Sequence, residues 1–237
     1  MTDLSNRSWL GLKWEKDLLV GVGVSLAWVA LMWVVWGYSA LTGKHFGYLG
    51  VLPREWSGTI GILAAPWIHA KGLDHIAANS APMFVLLAGV YYFYKPIFWR
   101  VVGWIYLITG VWTWAAARAV YHIGASGVVY GLAFFIFFSG VFRKDKVAIA
   151  LALIVAFLYG GMFWGLFPFK EGVSWESHAF GALSGLLIAY WFKNVKSTLE
   201  EKQAAANPHL DYPTHELWDY KSQVPPPEGF TYPEEEK

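Results

Sequence analysis

At 237 residues, 56% of them hydrophobic and only 15% charged, the chain is far too apolar for a soluble domain, where about a quarter of residues carry charge. A formal net charge of +1, with no basic run and no RNA-reading signature, gives no sign of a nucleic-acid partner. The absence of cysteine excludes disulfides and thiolate metal sites and leaves the redox compartment open.

A bilayer span needs about twenty apolar residues. The chain begins with a polar segment, 1–17, expected in the cytoplasm. The apolar run after it is too long for a signal-peptide core and no small-residue cleavage site follows, so it reads as a retained span. Six spans are predicted, at roughly 18–40, 75–94, 97–117, 124–142, 147–166 and 177–192, within a membrane domain over 18–195. Segment 41–74 mixes Gly, Pro, Trp and scattered charge, as expected for a loop lying at the interface. Residues 196–237 are expected to form a cytoplasmic tail. Pro225-Pro226-Pro227, Glu234-Glu235-Glu236 and the lack of apolar periodicity read as disorder, with Trp218, Tyr220 and Phe230 available for docking.

Basic residues set the orientation. Arg7, Lys13 and Lys16, then Lys95 and Arg100, then Arg143, Lys144 and Lys146, then Lys193, Lys196 and Lys202 fall on one side. Lys44, Arg54, Lys71, Arg118 and Lys170 are spread over the longer loops of the other. Both termini are therefore expected in the cytoplasm, with spans two, four and six running from outside to inside. The lean layout and the lack of a transit peptide point to a bacterial cytoplasmic membrane.

Polar residues inside such spans are costly and by default mark a functional site. Asn79 lies sixteen residues before Lys95, Ser126 seventeen before Arg143 and His178 fifteen before Lys193. At about 1.5 Å per helical residue, all three sit some 22–26 Å above the cytoplasmic edge, in one layer near the outer surface. His178, Gly181 and Gly185 share a helical face, and Gly181/Gly185 form a GxxxG that admits a close partner helix. Gly124, Gly127 and Gly131 offer small surfaces on the fourth span, so packing of span four on span six would carry Ser126 to His178. A serine and an imidazole are the minimal pair for nucleophilic acyl transfer. His75 and Asn79, four apart, can both donate toward an oxyanion, and Ser126 begins a helix whose free N–H groups favour negative charge.

Taken together, His75-x-x-x-Asn79, Gly124-x-Ser126-Gly127 and His178-x-x-Gly181-x-x-x-Gly185, on spans two, four and six, resemble the rhomboid intramembrane serine proteases. The resemblance covers roughly 18–192 and implies an all-α membrane protein: a six-transmembrane-helix bundle with a partly embedded first loop, 41–74. It implies Ser126 as nucleophile, His178 as general base, and an oxyanion hole of His75, Asn79 and the Ser126 N–H, without cofactor. Tyr130 matches the aromatic that stacks on the catalytic imidazole, and Gly124 the glycine that bends the loop ahead of the serine. The implied partners are transmembrane protein substrates and the lipid bilayer, with cleavage at or near the outer end of a substrate helix. The chain departs from the family pattern twice. The family often has a His five residues before the oxyanion-hole His, whereas His69 precedes His75 by six; and Arg54-Glu55-Trp56 stands where the first loop often carries a Trp-Arg pair.

Plainer readings exist for each residue. Ser126 and His178 taken singly would pass for satisfied packing residues, and His75 with Asn79 for an interhelical clamp. Arg118 and His122 fit structural pinning as well as substrate binding, and Glu176 fits a loop contact better than tuning of His178. His69, His75, His122 and His178 all lie toward the outer side, but no H-E-x-x-H occurs and no metal site is expected. Two rival classes are a catalytically silent rhomboid-like protein that binds transmembrane clients, and a small transporter. The first usually lacks the Ser or His kept here, and the second calls for charged residues in the spans or internal repeats.

Overall fold

The computed structural model describes residues 8–70, 72–158, 164–169 and 172–198. Most of the expected tail, 199–237, and the first seven residues lie outside them. Among the described residues the α-helices are α1 (Ser8–Thr42), a short α2 (Gly61–Ala64), α3 (Leu73–Tyr94), α4 (Phe98–Ala116), α5 (Ser126–Arg143), α6 (Lys146–Leu158) and α7 (Trp175–Trp191). Six of them follow the six predicted spans in order, and α2 lies within the first loop. By length and composition Lys16–Thr42, the α3–α4 stretch Leu73–Ala116 and Ser126–Arg143 can each cross a bilayer.

The boundaries differ from the sequence reading for local reasons. Helix α1 starts well before residue 18, because Lys and Glu favour helix even where they end the apolar run. One of its charges, Asp17, pairs with Lys95 Nζ at 2.6 Å, across the turn that joins α3 to α4. Helix α5 begins two residues later than expected, since Gly124 has φ +105°, a conformation outside the right-handed helix. The fifth span was expected at roughly 147–166; α6 accounts for it up to Leu158, 159–163 lie outside the described residues, Trp164 is helical and 165–169 form turns and a bend. Leu166 from this stretch packs on the core, so its apolar character serves a covering loop and not a helix.

Helix α5 is the centre of the bundle. Of the residues of α5 67% are buried, against 17% of an apolar stretch of α1, which leans on α3 and otherwise faces outward. The tightest pairing is α5 with α7. A Cβ on Gly181 would lie 2.0 Å from the Gly127 carbonyl oxygen, and one on Gly185 2.1 Å from that of Gly131. The two backbones therefore touch directly, as small residues allow in lipid. At the end of α5 away from Ser126, Arg143 donates Nη2 to the Phe192 carbonyl at 2.5 Å, closing the same helix pair.

The first loop is pinned from several sides. Val51 and His122 form an isolated antiparallel bridge, with both N–H···O bonds at 2.9 Å. Arg54, at φ +62°, donates its backbone N–H to the Trp114 carbonyl and its Nη1 to the Ala117 carbonyl at 2.7 Å. Trp114 Nε1 returns a bond to the Glu55 carbonyl at 2.9 Å, and its ring lies 5.8 Å from that of Trp56. Arg54-Glu55-Trp56 thus grips the end of α4 although its residue order differs from the family's usual pair.

Candidate active site

The glycine contact between α5 and α7 sets Ser126, the first residue of α5, against the first turns of α7. There His178 Nε2 lies 2.7 Å from Ser126 Oγ. The other ring nitrogen, Nδ1, lies 2.8 Å from the Gly165 carbonyl, which can only accept. Nδ1 therefore carries the hydrogen, and in a neutral ring Nε2 is left as the acceptor for the serine hydroxyl. That tautomer is the one needed to take a proton from Ser126. The Tyr130 ring, one turn along α5, stacks on the imidazole at 4.3 Å and 10°. With His178 only 8% exposed, ring orientation is held on three sides.

The serine loop is shaped by neighbours from the first loop and α3. Gly124 donates its N–H to the Ala65 carbonyl at 2.9 Å. A Cβ there would meet His75 Nε2 at 2.8 Å, so Gly124 is required both by its φ and by the imidazole packed on it. His75 is thereby placed at the loop just ahead of Ser126. Asn79 is buried on the same helix, and its amide donates to the His75 carbonyl at 2.8 Å, within α3. The first turn of α5 adds backbone N–H groups with no acceptor inside the helix.

Two participants escape a reading of spacing. His69 was set apart by its offset of six from His75; in the structure its ring meets His75 edge-on at 5.1 Å and its Nε2 accepts from the Ala125 N–H at 3.5 Å. It lies in irregular loop, where offsets carry no helical register. Burial, and then the nearby His75, hold its pKa down at about 4, which keeps the ring neutral. Gly165 acts through a backbone carbonyl and leaves no side-chain signal at all.

Arg118, His122 and Glu176 are brought together. Arg118 Nε sits 3.1 Å from Glu176 Oε1, and His122 Nε2 donates to the Arg118 carbonyl at 3.0 Å. Burial lowers the His122 pKa, consistent with a neutral ring in this position.

An apolar six-helix bundle with a serine and a histidine in hydrogen-bond contact near one end defines a class of membrane protein. Residues 54–194 match the family model of the Rhomboid domain, and the chain belongs to the rhomboid family of integral membrane proteins. It is 33% identical over 186 residues to the uncharacterized protein Rv1337 of Mycobacterium tuberculosis, covering 73% of this chain and 75% of that protein. It is 31% identical over 193 residues to the uncharacterized protein ML1171 of Mycobacterium leprae, covering 76% of this chain and 72% of the relative.

Proposed function

We propose that this chain is an intramembrane serine endopeptidase that cleaves a peptide bond at or near the outer end of a substrate's transmembrane helix. The observation that carries the reading is the 2.7 Å contact between Ser126 Oγ and an imidazole whose opposite nitrogen is already committed to a carbonyl. Such a pair can act without a carboxylate, because the Gly165 carbonyl fixes the tautomer that a third residue otherwise fixes.

In this mechanism His178 Nε2 takes the hydroxyl proton as Ser126 Oγ adds to the scissile carbonyl. The Ser126 N–H, His75 and Asn79 stabilise the oxyanion. His178 then returns the proton to the leaving amine, and water hydrolyses the acyl-enzyme by the same steps. A site near the outer surface gives that water access. Helical carbonyls are already hydrogen-bonded, so the substrate helix has to unwind locally, and helices with Gly or Pro near the outer face are the preferred substrates. The basic residues flanking the spans support cytoplasmic termini, and the mycobacterial relatives support a bacterial cytoplasmic membrane.

The test is labelling of the purified chain with a fluorophosphonate probe, alongside Ser126→Ala and His178→Ala. Labelling of wild type, absent in Ser126→Ala and in His178→Ala, is the expected result. A folded wild type that stays unlabelled in detergent and in lipid would overturn the protease reading in favour of client binding. Matched substrates with stable and breakable helices extend the test, and equal cleavage rates would refute the unwinding requirement.

A further inference from the structure

The glycine contacts at Gly181 and Gly185 set how closely α5 and α7 approach, but both lie beyond His178 and leave the first turn of α7 freer to move. A second set of bonds, above the dyad, removes that freedom. On the serine loop the residues are Arg118 and His122, eight and four residues before Ser126. On the other side their partners are Val173, Ser174 and Glu176, all shortly before His178. Arg118 Nε meets Glu176 Oε1 at 3.1 Å, the Arg118 N–H approaches the same oxygen at 3.5 Å, and Arg118 Nη2 donates to the Val173 carbonyl. His122 Nδ1 bonds the Ser174 hydroxyl. Since His122 Nε2 donates to a carbonyl, Nδ1 accepts from that hydroxyl in the neutral ring.

Two details separate this cluster from ordinary surface pairing. Ser174 is the N-cap residue of α7, yet its side chain makes no capping bond to its own helix; the hydroxyl is turned to His122. Serine at that position usually bonds the helix it opens. The Glu176 side chain is only 7% exposed, so its carboxylate is held in place by Arg118 and not by solvent. His122 is also tied through its backbone to Val51, so one residue joins the first loop, the serine loop and α7.

We infer that Arg118 and Glu176, with His122 and Ser174 beside them, are positioning residues that lock the start of α7 onto the serine loop and hold His178 Nε2 on Ser126 Oγ. Glu176 does not serve as a third member of the dyad. Residues two apart on a helix do not face each other, so it acts on His178 through the backbone of the first turn. The inference rests on the protease reading and adds residues to that same site.

The test uses the full chain in detergent, with a transmembrane substrate and the fluorophosphonate probe. Glu176→Gln keeps the side-chain shape and removes the charge; Arg118→Ala removes the partner. Each lowers kcat and the labelling rate by about tenfold or more, since misplacement by about 1 Å costs up to about a hundredfold, with KM within about twofold. The double variant is no slower than the slower single, because the two act as one unit. Arg118→Lys recovers part of the rate. Ser174→Ala, which leaves the ion pair intact, is the milder probe if Glu176→Gln does not fold, and it too slows labelling. Variants that label at wild-type rate, losses that multiply in the double, or a loss confined to KM would overturn the inference. A wild type that labels while these variants are unaffected refutes the lock alone; a wild type that never labels refutes the protease reading and the lock with it.

Discussion

The α5–α7 contact leaves no room for a single methyl group. In Gly181→Ala the new Cβ would start 2.0 Å from the Gly127 carbonyl oxygen. A relaxed carbon–oxygen contact needs about 3.3 Å, so α7 has to retreat by about 1.3 Å at this level. His178 lies one turn away on the same face, and a shift of that size carried to it opens the 2.7 Å contact with Ser126 to about 4 Å. No hydrogen bond survives at that distance. Overpacking of this kind costs about 1–3 kcal/mol of stability, whereas losing alignment by about 1 Å costs up to about a hundredfold in rate. The rate is therefore the more sensitive readout. Initial fluorophosphonate labelling and Tm are measured in one detergent for wild type, Gly181→Ala and Gly185→Ala. The second variant meets the Gly131 carbonyl at 2.1 Å, one turn further from the dyad. Both should lose similar stability, and Gly181→Ala should lose far more labelling. Labelling of Gly181→Ala at the wild-type rate would refute the argument that this glycine sets the Ser–His distance.

Two further outcomes follow from the same geometry. Tyr130→Ala removes a ring stacked at 4.3 Å on His178, worth about 0.5–1.5 kcal/mol beyond buried area, and slows labelling by about three- to tenfold. Tyr130→Phe keeps the ring and most of the rate; an equal loss in both would show that stacking is not what matters. The pKa of His69 is held at about 4 by burial, against about 6.5 in an unfolded chain, so the folded state binds fewer protons between those values. Stability therefore falls as pH drops from about 6.5 toward 4, by up to about 3 kcal/mol from this residue. Thermal unfolding at pH 7 and pH 4.5 checks it: His69→Gln should flatten the pH dependence, and an unchanged slope would exclude His69 as its source.

The sequence exposes features that repeat with a period or break one. The spacing of His178, Gly181 and Gly185 names a helix face, and α7 buries that face against Gly127 and Gly131. The bend at Gly124 is implied by the family resemblance, and its φ of +105° is that bend. Composition alone does not mark the end of the fifth span sharply, since Leu166 looks the same in a turn as in a helix. The Arg118–Glu176 pair could not be read either. Its members are 58 residues apart, and a charge pair across loops leaves no periodic trace. The Gly165 carbonyl is a still harder case, as every residue carries one.

The pairing of Ser126 with His178 on α7 also has a consequence for the order of synthesis. Fifty-two residues separate Ser126 from His178. At about 5–20 residues per second, the serine precedes its base out of the ribosome by about 3–10 s. Throughout that interval Ser126 is an ordinary hydroxyl, without the imidazole and without the glycine face of α7. On the proposed protease reading, the site is thus silent toward other newly inserted chains until α7 docks.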